Sequence, residues 1–183
     1  MELKESLSNL IHENRIFFFE NHINLETDIP SEKNKIIDLM LQKIEVENMK
    51  YNPNKKSTNI LVLGPQHSGK SSTINTLGKY FNRRIQVAIC DVGRKADVGT
   101  VHYEKFHLGS SNGHEYHIFD TAGKPFEKGM DGNDVNQIQK LMHGLPTGVN
   151  LSLSEWMNSE IVTENAVGFV FLVVSAEVLT KRR

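Results

Sequence analysis

The part of the chain richest in chemistry has two glycines with four residues between them, followed at once by a lysine and two serines. Glycine permits the tight turn that brings backbone N–H groups onto a phosphate, lysine supplies a cation, and a serine hydroxyl can ligate Mg²⁺. An ordinary strand–turn–helix connection would not need lysine and serine at these two places. The sequence therefore predicts a phosphate-binding loop made of Gly64, Pro65, Gln66, His67, Ser68, Gly69, Lys70, Ser71 and Ser72.

The surroundings of this loop favour the same interpretation. An apolar segment precedes it and an amphipathic segment follows it, so backbone N–H groups and the positive end of a helix would meet at one point. Lys70 would then contact the β- and γ-phosphates and assist their chemistry, and Ser71 would ligate Mg²⁺.

Two downstream segments could sense the third phosphate. Asp120-Thr121-Ala122-Gly123 ends an apolar strand about 50 residues after the loop, so Asp120 would bind Mg²⁺ directly or through water. Gly123 would donate its N–H to the γ-phosphate, although Asp-x-x-Gly alone is a common turn sequence. Thr100 precedes another strand, and its hydroxyl and carbonyl could close over Mg²⁺ and the γ-phosphate as a metal ligand and catalytic group. A threonine at a strand start is commonplace, so a purely structural role for Thr100 stays open.

The elements that must position these residues follow from the spacing of apolar side chains. Short apolar runs alternate with helical stretches from residue 59 onward, which indicates an α/β fold with a mostly parallel sheet. We predict strands at 60–63, 101–108, 114–119 and 167–174, the last fully buried, and helices at 70–81 and 135–145. Residues 1–56 are predicted to form two helices and a linker, and residues 57–183 the α/β domain. The second helix would bury Ile37, Met40, Leu41 and Ile44.

Asn112-Gly113 predicts a two-residue hairpin turn, because both positions of that turn favour positive φ. Such a turn would place His107 opposite Ile118 and Leu108 opposite His117. The two histidines would then project from opposite faces, which argues against a shared zinc ion.

Composition excludes several classes of protein. The formal charge is -1, from 21 basic and 22 acidic residues, so no global positive field would hold nucleic acid. Cys90 is the only cysteine, which favours a reducing compartment. The start has no secretory signal, and the longest apolar run is about half the length of a bilayer-spanning helix. We expect a cytoplasmic protein without a transmembrane segment.

The loop, Thr100 and Asp120-Thr121-Ala122-Gly123 together resemble the first three motifs of the GTPase domain of the translation-factor and Ras-like class. Within that class, the loop and the layout of residues 135–171 are similar to dynamin-like proteins and to the interferon-induced protein forty-four family. The resemblance covers about residues 58–178. It implies a P-loop NTPase three-layer sandwich, GTP or GDP with Mg²⁺ as ligands, and a switch-like protein.

The chain departs from this pattern in two respects. It contains no Asn/Thr-Lys-x-Asp element for guanine, and the resemblance implies a domain incomplete at its C-terminal edge. The strand at 167–174 would then be an exposed edge that invites a homo- or hetero-oligomeric partner. Lys124 stands where Ras-like proteins have the water-holding glutamine, so Gln66 is the leading substitute, with a solvent-facing role as its alternative. His67 is more simply a bystander.

Three functions from different classes follow. The first is Mg²⁺-dependent guanine-nucleotide binding, with slow GTP hydrolysis as an open addition. The second is a catalytically inactive interaction protein that retains the loop. The third is an ATP-binding P-loop protein, disfavoured because no paired acidic residues follow the strand at 114–119.

Overall fold

A computed structural model of the chain describes residues 28–51, 54–82, 88–90, 102–123, 132–151 and 154–174. Thr100, Lys124 and the first helix expected before residue 28 lie outside the described residues. In chain order the elements are α1 (Ser31–Tyr51), β1 (Ser57–Leu63), α2 (Lys70–Phe81), β2 (Glu104–Ser111), β3 (His114–Asp120), α3 (Gly132–His143), α4 (Glu155–Asn158), a 3₁₀ turn (Thr163–Asn165) and β4 (Phe169–Leu172).

The strands form one four-stranded mixed sheet in the order β2-β3-β1-β4. β1 lies between β3 and β4 and is parallel to both, whereas β2 and β3 form an antiparallel hairpin. Two of the three pairings are therefore parallel, and the α/β class predicted from the sequence is confirmed.

Alternation along β1 divides the core between the two faces of the sheet. Ile60 and Val62 belong to one buried cluster, which also takes in side chains of α1 and α2. Leu61 belongs to a second cluster, which includes Leu141 of α3 and Trp156 of α4. Helices thus cover both faces, and this explains why β1 is an almost continuous apolar run.

α1 begins at Ser31, directly after Pro30, as a proline and a polar start residue favour. Its four buried residues are those predicted: Ile37, Met40, Leu41 and Ile44. Three of them join the same core cluster as β1 and α2. The division of the chain near residue 56 stays a prediction.

α2 begins and ends at the predicted residues, and α3 begins three residues before and ends two residues before its predicted bounds. The sequence also has an apolar segment at 85–90; the structure describes only its residues 88–90, where no strand forms.

The predicted hairpin is present, but its predicted register is wrong. Asn112 has φ 52° and Gly113 has φ 76°, as the turn requires. A β-bulge then shifts the pairing between His107 and Gly109, so that His107 lies opposite His117 and not Ile118. The shift leaves Leu108 out of the strand pairing, next to Gly109, whose φ is 148°.

The shift places the two histidines on one face of the hairpin, with ring centroids 5.3 Å apart. The geometric argument that they project from opposite faces therefore fails. Within the described ranges, no group of three or more His, Cys, Asp or Glu side chains could hold a metal ion.

β4 differs from its prediction in length and burial. It spans only Phe169–Leu172, and all four residues are half-buried, not fully buried as predicted. It pairs with β1 and ends the order of the described strands. That a partner chain covers β4 stays a prediction.

None of the helices in the described ranges is long and apolar enough to span a bilayer.

Candidate functional site

The 64–72 loop connects the C-terminal end of β1 to the first turn of α2. Gly69 precedes the helix in the left-handed region, with φ 95° and ψ 20°, and His67 is also left-handed, with φ 60°. A positive φ is uncommon for histidine, so this loop is a locally constrained segment. Within the described residues no side chain caps α2 at Gly69, which leaves the helix N-terminus directed at the loop.

Lys70 folds back over this loop. Its ammonium donates to the carbonyl of Pro65 at 3.0 Å and to that of Gly64 at 3.3 Å. Only 6% of the residue is exposed. Burial lowers the pKa of the lysine, and the negative charge of Asp120 partly opposes that effect. A buried cation at the mouth of a helix N-terminus is suited to an anion.

Asp120 ends β3 beside this loop and is fully buried. The hydroxyl of Ser71 donates to its Oδ2 at 2.9 Å, and the Thr121 N–H donates to its Oδ1 at 2.9 Å. The Thr121 hydroxyl in turn donates to the Val62 carbonyl of β1 at 2.7 Å, which fixes the turn after β3 to the neighbouring strand. Ser71 and Asp120, which the sequence assigned to Mg²⁺, are therefore in direct contact.

Gly123 lies against the same loop. A Cβ at this position would stand 2.4 Å from Gln66 Cα, 2.6 Å from Gln66 N and 2.9 Å from Lys70 Nζ. Real Cβ atoms do not approach backbone so closely, so only glycine allows this approach. The Gly123 backbone therefore lies next to the loop, and donation of its N–H to a γ-phosphate stays a prediction.

Ser68 carries an unsatisfied polar atom in the interior of this site. Its Oγ is buried and has no hydrogen-bond partner among the described residues. A buried hydroxyl without a partner is costly, and a ligand oxygen would satisfy it. Together with the buried Lys70 ammonium, this hydroxyl fits a phosphate group.

Oxygen donors define what cation the site could hold. Ser71 Oγ and Asp120 Oδ2 are hard ligands of the kind that Mg²⁺ prefers, and Mg²⁺ commonly completes its shell with water and phosphate oxygens. The residues present therefore fit a phosphate-bound Mg²⁺, although their binding roles stay predictions.

The remaining predicted residues of the loop have simpler positions. Gln66 and His67 are exposed at the tip of the loop. Ser72 lies in the first turn of α2, where its carbonyl accepts from the Thr76 hydroxyl. Thr100 lies outside the described residues, so its part in closing over the phosphate stays a prediction.

Two residues at this site were not found from the sequence. Cys90 donates its Sγ to Asp120 Oδ2 at 3.2 Å, and Asn75 holds the Cys90 backbone through both ends of its amide. Burial, and then the charge of Asp120, raise the pKa of the Cys90 thiol far above its ordinary value, so it is protonated at neutral pH. Asn75 lies 15 residues before Cys90, and Cys90 lies 30 residues before Asp120. Separations of this length form no local sequence pattern from which the contacts could have been predicted.

Comparisons with known proteins add no relationship: no protein-family model matches the chain, and no curated protein gives a significant match.

Proposed function

We propose that this chain binds a nucleoside triphosphate together with Mg²⁺, and that the nucleotide is GTP. The phosphates would lie on the 64–72 loop, with the cation held by Ser71 and Asp120. The choice of GTP rests on the resemblance of the three motifs to GTPase domains, since no guanine-specific element is present in the sequence.

The arrangement of the sheet supports this proposal. In open α/β sheets, ligands bind beyond the carboxyl ends of the strands, where connections diverge to opposite sides of a strand. β1 has β3 on one side and β4 on the other, and the 64–72 loop leaves its carboxyl end. We infer that the fold is a P-loop NTPase sandwich, in which helices cover both faces of this sheet.

One observation carries the proposal: the buried Lys70 ammonium, the N-terminus of α2 and the buried carboxylate of Asp120 at the end of β3 meet at the 64–72 loop. Lys70 contacts the loop carbonyls, and Ser71 in the next position contacts Asp120. A purely structural turn gains nothing from burying the Lys70 cation while leaving the Ser68 hydroxyl without a hydrogen bond.

Each residue then has a distinct task. Loop N–H groups and Lys70 orient the phosphates and offset their charge, while Asp120 holds Ser71 in place for the cation. Mg²⁺ would supply charge neutralisation at the β- and γ-phosphates. Gln66 is exposed beside the Gly123 backbone, and we assign to it the orienting of water if slow hydrolysis occurs.

The test is a calorimetric titration of the purified chain with GTP and with ATP, each with Mg²⁺ present. We expect GTP to bind more tightly than ATP. Lys70→Ala should weaken binding by at least about 30-fold, because a charge-assisted hydrogen bond contributes about 2 kcal/mol. Lys56→Ala is the matched control, since Lys56 is exposed and lies outside the loop, and its affinity should equal that of the wild type.

Other outcomes separate the alternatives. Tighter binding of ATP would favour an ATP-binding P-loop protein. No uptake of either nucleotide by folded protein would contradict the proposal and leave the interaction protein as the better interpretation. Circular dichroism on each variant establishes that it is folded.

A further inference from the structure

The carboxylate of Asp120 is held on both of its oxygens. Oδ1 accepts from the Thr121 N–H at 2.9 Å, and Oδ2 accepts from Ser71 Oγ at 2.9 Å and from Cys90 Sγ at 3.2 Å. The side chain cannot rotate without breaking at least one of these bonds. Among these donors, Cys90 lies outside the predicted motifs.

Cys90 is itself fixed by a two-point contact. Asn75 Nδ2 donates to the Cys90 carbonyl at 2.9 Å, and Asn75 Oδ1 accepts from the Cys90 N–H at 2.9 Å. Both residues are at least nine-tenths buried. Asn75 stands one helical turn after Ser71 on α2, so a single helix sets Ser71 directly and Cys90 through Asn75.

Helix propensity does not account for Asn75, because asparagine is a poor helix former and is costly to bury without partners. Its amide satisfies both backbone groups of Cys90, and the position of the thiol follows from that contact. The thiol contact to Asp120 is therefore a built feature of the site.

We propose that Cys90 is a positioning residue that orients Asp120 for the divalent cation accompanying the nucleotide, with Asn75 setting the position of Cys90. This inference rests on the proposed nucleotide binding. Carboxylates that ligate metals are themselves held by hydrogen bonds, and loss of such a contact typically costs about 10- to 100-fold in metal affinity. Sulfur is a weak donor, so the lower end of that range applies.

The first measurement is a Mg²⁺ titration of the full chain at fixed GTP. Cys90→Ala should raise the Mg²⁺ concentration for half-maximal binding by about 10-fold, while GTP binding in chelator changes little. Cys90→Ser keeps a donor and should recover most of the loss. Thr76→Val is the control, since it removes a buried hydroxyl that donates to the Ser72 carbonyl on the same helix.

A second measurement needs no nucleotide. Because Cys90 is the only cysteine, its S–H infrared band is uniquely assignable. The band should lie at lower frequency in the wild type than in Asp120→Ala, where the acceptor is lost. If Cys90→Ala does not fold, Asn75→Asp takes its place, because it keeps the acceptor for the Cys90 N–H but loses the donor to the Cys90 carbonyl. This variant should raise the Mg²⁺ concentration for half-maximal binding, but by less than about 10-fold.

The outcomes are separable. An S–H band unchanged by Asp120→Ala, or equal losses with and without Mg²⁺ in Cys90→Ala, would overturn the positioning role while leaving nucleotide binding intact. A wild type that shows the shifted band but takes up no nucleotide would refute the proposed function, and the cation role of Cys90 with it.

Discussion

At the scale of single residues, Gly123 is a strict requirement of the site. Its Cα stands so close to the loop that an added Cβ would meet Gln66 Cα at 2.4 Å. Backbone on both sides would have to shift, so we expect Gly123→Ala to lower the free energy of unfolding by about 1–3 kcal/mol. GTP affinity should fall as well, because Gln66 and Lys70 are the groups displaced. Denaturant titration and calorimetry measure the two effects.

Gly132→Ala is the matched control for Gly123→Ala. An added Cβ at Gly132 would meet nothing within 4 Å, and the residue begins α3. Alanine there should be neutral or stabilise by up to about 1 kcal/mol, because glycine is a poor helix former. Equal stability of the two variants would show that the close approach at Gly123 is not tightly constrained.

The sequence was most informative where residue type and spacing carry the chemistry locally. Lys70, Ser71 and Asp120 were predicted as one site, and the structure brings Ser71 and Asp120 into contact. Cys90 and Asn75 were missed because their contacts join separate parts of the chain. In the sequence, a cysteine that will be buried cannot be told from any other small apolar core residue. Only the contact with Asp120 in the structure indicates a role for Cys90 at the site.

At the scale of elements, the β2–β3 hairpin carries a histidine that makes the stability depend on pH. Burial lowers the pKa of His117 below its ordinary value, and the charges of Lys105 and His107 add to this, while Glu115 partly opposes them. The unfolded chain then binds more protons than the folded chain below about pH 6.5, so stability is lost on acidification through that range. We expect thermal midpoints to fall between about pH 7.5 and about pH 5.5, and to fall less in His117→Gln.

The control for this prediction is His143→Gln, at an exposed position on α3. Its midpoints should follow those of the wild type at both pH values. If His117→Gln loses as much stability on acidification as the wild type, another group accounts for the loss.

The same hairpin shows what a sequence pattern leaves undetermined. α2 was predicted to the residue because its start is set by the lysine after Gly69 and its face by Ile74 and Leu77. The turn at Asn112-Gly113 was also correct, yet the bulge at Gly109 changed every pairing beyond it. A bulge depends on packing against other elements, here on the close approach of Gly109 to Phe81 of α2, which no local pattern encodes.

At the scale of the whole molecule, the sheet separates two clusters that must fold together if the chain is one cooperative unit. α1 packs through Ile37 on one face, and Trp156 lies in the cluster on the other face. Trp156 is the only tryptophan and is 6% exposed, so its fluorescence reports unfolding of the second cluster, which among the described residues contains no side chain of α1.

Ile37→Ala tests this cooperativity. Ile37 is fully buried, so its truncation should cost about 2–5 kcal/mol. If the two faces of the sheet unfold together, the loss of stability at Ile37 will also lower the denaturation midpoint measured by Trp156 fluorescence. That midpoint will then coincide with the one from far-UV circular dichroism, in one transition. Leu39→Ala, at a position 53% exposed on the same helix, should stay within about 0.5 kcal/mol of the wild type. If Ile37→Ala leaves the Trp156 transition unchanged, α1 unfolds separately from the sheet, which would agree with a domain boundary near residue 56. In that case GTP would stabilise the sheet and the cluster around Trp156, but not α1.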